Sequence, residues 1–163
     1  MYLGIFRFAA GLMAVSARNH RNSTAKGMLN VPAKCQTRVR RLLEGAARHV
    51  ADAKVQAISG ETRFSSAYTA IRMLADVGLH AHGYRTLTSK PGHHQTAIQT
   101  LPATLGIDSQ TVIRLDKLRK QRNLTEYTGD LIPESAVKEC LSQAESLSAV
   151  ARNWLKINRP DLL

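Results

Sequence analysis

Apolar residues recur at three- and four-residue spacing through most of this chain, and nowhere does a convincing strand-like alternation replace them. Val39, Leu42, Leu43, Ala46, Val50, Ala53 and Ala57 lie on one stripe of a helix that begins near Gln36, and Ser59-Gly60 interrupts it. A second stripe starts near Thr62 and carries Phe64, Ala67, Tyr68, Ile71, Leu74, Ala75 and Gly78, with Gly83 placed to end the helix. Residues 84–92 have no periodicity and read as a loop. His93-His94 then open a short helix through Ala97, Ile98, Leu101 and Leu105; Gly106 ends it, and Pro102 predicts a kink or an early stop. Asp108 reads as the N-cap of a fourth helix, and Gly129 marks the turn after it. Pro133 suits the first position of a fifth helix, and Glu134 suits the positive end of its dipole. This last stripe is the clearest: Val137, Cys140, Leu141, Ala144, Leu147, Ala151, Trp154 and Leu155, closed by Asn158 and Pro160.

The pattern predicts an all-α fold: an up-and-down antiparallel helical bundle of four long helices plus one short helix. The bundle is expected over residues 36–158, after a basic, weakly ordered leader (1–35) and before a tail (159–163). With 163 residues, 44 % of them apolar, there is enough material for one core. Aromatic residues are only 5 %, which suits helices packed through Ala, Leu and Val.

Charge changes the picture less than the net +11 suggests. Residues 1–43 hold eight Lys/Arg and no acid, whereas the remainder holds fifteen Lys/Arg against twelve Asp/Glu, a difference of +3. The bundle is therefore nearly balanced, and its composition alone does not mark a nucleic-acid binder. Arg38, Arg40 and Arg41 form a basic start to the first bundle helix, either a phosphate-tracking strip or a solvated face. Tyr2–Val15 is apolar apart from Arg7, too short and too interrupted for a membrane span of ~20 residues. Its likeness to a targeting peptide is set against an upstream start codon, with Met28 as the true beginning; a non-essential leader is the preferred expectation. Two cysteines, Cys35 and Cys140, make neither a disulfide framework nor a metal-ligand spacing, so a cytoplasmic protein without metal or cofactor is expected.

The fourth helix carries the candidate chemistry. Val112, Leu115 and Leu118 run into Arg119 and Arg122, so its inner face turns polar near Arg119-Lys120-Gln121-Arg122-Asn123-Leu124-Thr125-Glu126-Tyr127. Arg63-Phe64-Ser65-Ser66-Ala67-Tyr68, Gly83-Tyr84-Arg85, Gly92-His93-His94 and Arg122-Asn123-Leu124-Thr125-Glu126-Tyr127 occur in that order. This ordered set resembles the HEPN superfamily over about residues 36–157, and most of all small prokaryotic members with an Arg-Asn-x-x-Glu-Tyr ending to the penultimate helix. The resemblance implies a helical bundle that forms homodimers along the motif-bearing helices. It also implies association with RNA or nucleotide, ribonuclease-type ancestry, and a place in a toxin–antitoxin or defence system beside an antitoxin protein. In such a ribonuclease a motif arginine stabilises charge on the phosphate, and a histidine separated from it by four to six residues exchanges protons in metal-independent cleavage.

This chain departs from that pattern, because Tyr127 stands where the histidine is expected and no histidine follows His94. A phenol of ordinary pKa near ~10 is a poor general base at neutral pH. Two readings of the cluster stay open. In one, Arg122 contacts phosphate, Asn123 orients it and Tyr127 bonds or stacks on a base. In the other, Arg122 and Glu126 pair along the helix, Asn123 caps backbone and Tyr127 packs. His93 and His94 either supply the missing imidazole from another segment or cap and pack their own helix. Arg119, Glu126, Arg63 and Arg85 complete the set as binding candidates, and no third ligand makes the histidine pair a zinc site. His80 and His82 are expected on the surface. The competing functional class is a non-catalytic helical module for protein interaction or dimerisation.

Overall fold

The computed structural model of the chain describes residues 33–86, 92–129 and 131–163; the side chains of residues 33, 34 and 126–128 lie outside the description. Among the described residues six helices follow in order: α1 (Ala33–Ala53), α2 (Gly60–Ala81), α3 (His93–Gln99), α4 (Leu101–Leu105), α5 (Ser109–Thr128) and α6 (Glu134–Asn158). A 3₁₀ turn, Pro160–Leu162, closes the chain. The protein is all-helical, with no strand among the described residues. The expected leader falls outside them apart from residues 33–35, which already belong to α1.

The starts and stops follow local chemistry. Ser59 caps α2 by accepting from the Thr62 amide, and Asp108 caps α5 by accepting from the Thr111 amide. Gly83, Gly106 and Gly129 adopt positive φ where α2, α4 and α5 end. Three sequence expectations need correction. α1 stops at Ala53, so Ala57 lies in an exposed turn and not on the stripe. The single short helix is two, α3 and α4, joined at Thr100. Pro102 has no N–H to extend the α3 ladder, yet it fits the first turn of a new helix, where no intrahelical donor is required. Pro133, at φ −60° and ψ 139°, is extended and precedes the helix instead of opening it.

α2 is the centre of the packing. Its buried Phe64, Ala67, Ile71, Leu74, Ala75 and Val77 meet α1 on one side and α6 on the other. α1 runs against α2: Cys35 Sγ donates to the His80 carbonyl at one end, and Arg63 Nε donates to the Ala53 carbonyl at the other. α6 runs along α2, from Val137 against Gly60 to Trp154 against His82, whose rings lie 5.1 Å apart. α4 comes so close that a Cβ on Gly78 would lie 2.7 Å from Thr104 Oγ1. His82 Nε2 donates to the Thr104 carbonyl at 2.9 Å, so His82 is a packing residue and not a surface one. His80 is likewise half-buried. The expected tail is also part of the core: Leu162 is fully buried, Gln36 Nε2 donates to the Asp161 carbonyl at 2.7 Å, and Arg40 donates to the Leu163 carbonyl.

Arg63 ties three segments together at the base of α2. It is 5 % exposed, and beyond Ala53 its Nη1 reaches both carboxylate oxygens of Glu134 at 3.1 Å, linking the end of α1, α2 and the start of α6. Glu134 remains half in solvent, so the pair sits at the edge of the core and avoids the full desolvation of two charges. Replacing Arg63 by Ala is expected to remove about 2–3 kcal/mol of stability, and Lys is expected to restore only a minor part because it lacks the forked donor set. Urea unfolding of the two variants checks this; wild-type midpoints in both would contradict it.

Candidate functional site

The polar residues of α2 share one stripe: Ser65, Thr69, Arg72, Asp76 and His80, at three- and four-residue steps and all partly buried. Tyr68 borders that stripe. With α1 and α6 covering the apolar sides, α3 and α5 close over the polar one. α3 contributes His93 and His94; α5 contributes Arg119 and Arg122.

The centre of the cluster is the contact between Arg72 and His94, with Nη1 and Nε2 2.8 Å apart. A guanidinium has only donors, so His94 Nε2 must accept and the imidazole proton must sit on Nδ1. The ring is therefore neutral. Burial, followed by the positive charges of Arg72, His93, Arg122 and Arg119, pushes the His94 pKa down to about 4. His93 packs edge-on against His94 with ring centroids 4.1 Å apart. The Arg122 guanidinium lies over the Tyr68 ring at 5.5 Å, a cation–π contact that fixes it against α2.

Tyr68 is the least satisfied member. Its hydroxyl oxygen is buried without a hydrogen-bond partner among the described residues. An orphaned buried hydroxyl costs about 1–3 kcal/mol. Burial raises the phenol pKa against the opposing pull of Arg122, Arg119 and Arg72, so Tyr68 stays protonated as a donor. Two carboxylates temper the field. Burial would raise the Asp116 pKa, but hydrogen bonds from Arg119 and Lys120, at 2.7 and 3.0 Å, outweigh it and hold the group ionised. Burial raises Asp76, while His80, Arg72, Arg38 and His93 pull it back.

Along the same α2/α5 seam lies an open cleft of about 480 Å³. It is lined by Glu61, Thr62, Ser65, Ser66 and Thr125, and by Arg122. Arg122 thus belongs to both the cleft and the cationic cluster.

The structure brings together Arg119, Arg122, His93 and His94 from the residues singled out in the sequence. Asn123 is half-buried on the same helix. The side chains of Glu126 and Tyr127 lie outside the described residues, so the Arg122–Glu126 pair and the roles considered for Tyr127 lie outside them too. Arg63 is buried and committed to Ala53 and Glu134, away from the cluster. Arg85 is exposed beyond the far end of α2 and acts on His80 instead. Gly92 holds the cap position of α3 without a side-chain cap bond, and His94 turns across to Arg72.

Sequence reasoning missed Arg72 and Asp76 and assigned Tyr68 to the core alone. The signal was available: a four-residue pair of opposite charges on a helix otherwise too apolar to be solvated. Among the described residues no group of three His, Cys, Asp or Glu is arranged to hold a metal, and no helix is long and apolar enough to cross a membrane. No protein-family model matches the chain, and no curated protein shows significant similarity to it.

A histidine with a depressed pKa contributes stability that is fully present above its unfolded value near 6.5 and is lost as pH falls towards 4. Stability measured by urea unfolding should therefore decline between those pH values. The decline should be shallower in His94→Gln, which keeps an acceptor for Arg72 but does not titrate. Superimposable pH profiles for the two proteins would contradict the assignment.

Proposed function

We propose that this chain is a HEPN-like up-and-down four-helix bundle that associates with RNA or nucleotide through its phosphate, within a toxin–antitoxin or defence system. The carrying observation is the gathering of Arg72, Arg119 and Arg122 around Tyr68 and His94 at one seam. Guanidiniums offer forked, permanently charged donors, the chemistry best matched to phosphate oxygens. The buried Tyr68 hydroxyl supplies a further donor in want of an acceptor. The cleft beside Arg122, with Thr62, Ser65, Ser66 and Thr125 in its lining, offers hydrogen bonds suited to ribose or a base edge.

Cleavage is the finer form of this reading. Arg122 would hold the phosphate, Asn123 would position it, and His94 or His93 would supply the acid/base step in place of the absent motif histidine. His94 is engaged with Arg72 in the free protein, so ligand binding has to precede any proton transfer from Nε2.

The second reading, a dimerisation module, draws on Ile113 and Leu124, which stand 47 % and 54 % exposed on the helix that carries Arg119 and Arg122. Dimerisation through such side chains resists salt, whereas phosphate binding does not.

The test is fluorescence anisotropy with a labelled single-stranded RNA across a salt series. Binding should weaken steeply, and Arg122→Ala or Arg72→Ala should each reduce affinity about tenfold to a hundredfold. Each variant should also flatten the log–log salt slope by about 0.7. In a parallel cleavage assay with chelator present, Arg122→Ala and His94→Ala are each expected to abolish activity while circular dichroism remains native. RNA binding that is absent, or unmoved by both arginine variants, would remove this function and leave the dimerisation module.

A further inference from the structure

We infer that Arg72 and His94 form a proton-linked latch on the phosphate site: a bound oxyanion draws the Arg72 guanidinium from the imidazole, and His94 then takes a proton from solvent and donates to the same anion. This rests on the phosphate-binding reading above and adds a coupled proton to it.

The geometry sets up the exchange. Arg72 is half-buried on α2, and its guanidinium spends a donor on a neutral ring nitrogen 2.8 Å away. A neutral imidazole is a weaker acceptor for a guanidinium than an anionic oxygen, so an incoming phosphate is the preferred partner. Once Arg72 turns to the anion, His94 Nε2 is open to protonation.

The groups facing the imidazole come from each neighbouring element. α2 presents Arg72, with Tyr68 and Asp76 one turn to either side; α3 presents His93; α5 presents Arg119 and Arg122, with Asp116 and Lys120 behind them. Asp76 is balanced among His80, Arg72, Arg38 and His93, and Asp116 is bound by Arg119 and Lys120, so neither carboxylate pairs with His94. Burial first, and then this unopposed positive charge, keep the ring neutral, with a pKa of about 4. A bound oxyanion offsets part of the positive charge that the three guanidiniums exert on the ring. The imidazolium then becomes the favoured form.

Proton uptake follows from linkage. If ligand returns His94 to an ordinary imidazole pKa near 6.5, binding takes up about 0.9 proton at pH 5.5. Affinity for a non-titrating anion should accordingly rise as pH falls from 7 towards 5. The site thereby favours tetrahedral oxyanions that a cation can clamp from two sides, over ligands held by one arginine.

The test uses ligands that do not themselves titrate in this range: sulfate as the tetrahedral dianion, and uridylyl-uridine as the phosphodiester. Proton NMR follows the His94 imidazole resonance against pH with and without saturating ligand, and calorimetry in two buffers of different ionisation heat counts protons. The expected result is a His94 midpoint that moves from about 4 to above 5.5 on binding, with proton uptake and a gain in affinity at low pH, both of which His94→Gln abolishes. A ligand that binds yet leaves the His94 midpoint in place and takes up no proton would overturn the latch and leave the phosphate site standing. Failure of both sulfate and uridylyl-uridine to perturb any resonance of α2, α3 or α5 would overturn the phosphate reading and the latch together. Uptake with sulfate but not with the diester would confine the latch to dianionic phosphate, such as a terminal monoester.

Discussion

Helix α2 is enclosed on two sides by α1 and α6, and beyond Arg63 at its base its polar stripe has one direction left. Its apolar residues are distributed so widely around the axis that α1 and α6 both pack against it. Small residues make the approach possible: Ala67, Ala70, Ala75 and Ala81 are buried, and Gly78 leaves the space that Thr104 occupies. Ser65, Thr69, Arg72 and Asp76 are then confined to the seam that α3 and α5 cover. Burying such a stripe under an apolar helix would be prohibitive, so the covering elements are polar there as well. The site is a consequence of how the core closes.

The covering helices show the cost of that arrangement in their own composition. α5 spends only Val112, Leu115 and Leu118 on the core before its inward face becomes Arg119 and Arg122. It gains little from apolar burial over its second half, where the contact of Arg122 with the Tyr68 ring ties it to α2. α3 has two turns and buries only Ala97 and Ile98. Such weakly anchored elements over a charged seam are the parts of a domain that open first. A ligand that neutralises the seam also relieves the repulsion among its arginines, so occupancy and closure reinforce each other.

Most helices were legible because their stripes are long and their ends carry specific chemistry. Asp108 and Ser59 were readable as boundary residues, and Gly83, Gly106 and Gly129 as stops, since each supplies a side-chain acceptor or a left-handed backbone that few residues tolerate. The split at Thr100 and the folding of the last residues onto α1 were not. The first depends on Pro102 losing one donor, which predicts an interruption but not a fresh helix. The second depends on Leu162 finding a gap that only the assembled helices create. Within the site, Arg122 announced itself because an apolar stripe ran into it. Arg72 did not, because it sits among so many apolar neighbours on α2 that the stripe absorbs attention, and its partner His94 is far away in sequence.

Arg63 and Arg72 show why sequence could rank neither. They lie on one helix, Arg63 buried and Arg72 half-buried. Arg63 meets a carboxylate in bidentate geometry and a backbone carbonyl, so its charge and donors are answered within the fold. Arg72 meets a neutral imidazole, with Asp76 shared among several other cations. Its charge is only partly answered, and a partly answered buried cation either destabilises the protein or waits for an anion. The partner decides which arginine holds the bundle together and which is available to a ligand, and partners across helices are settled only when the chain has folded.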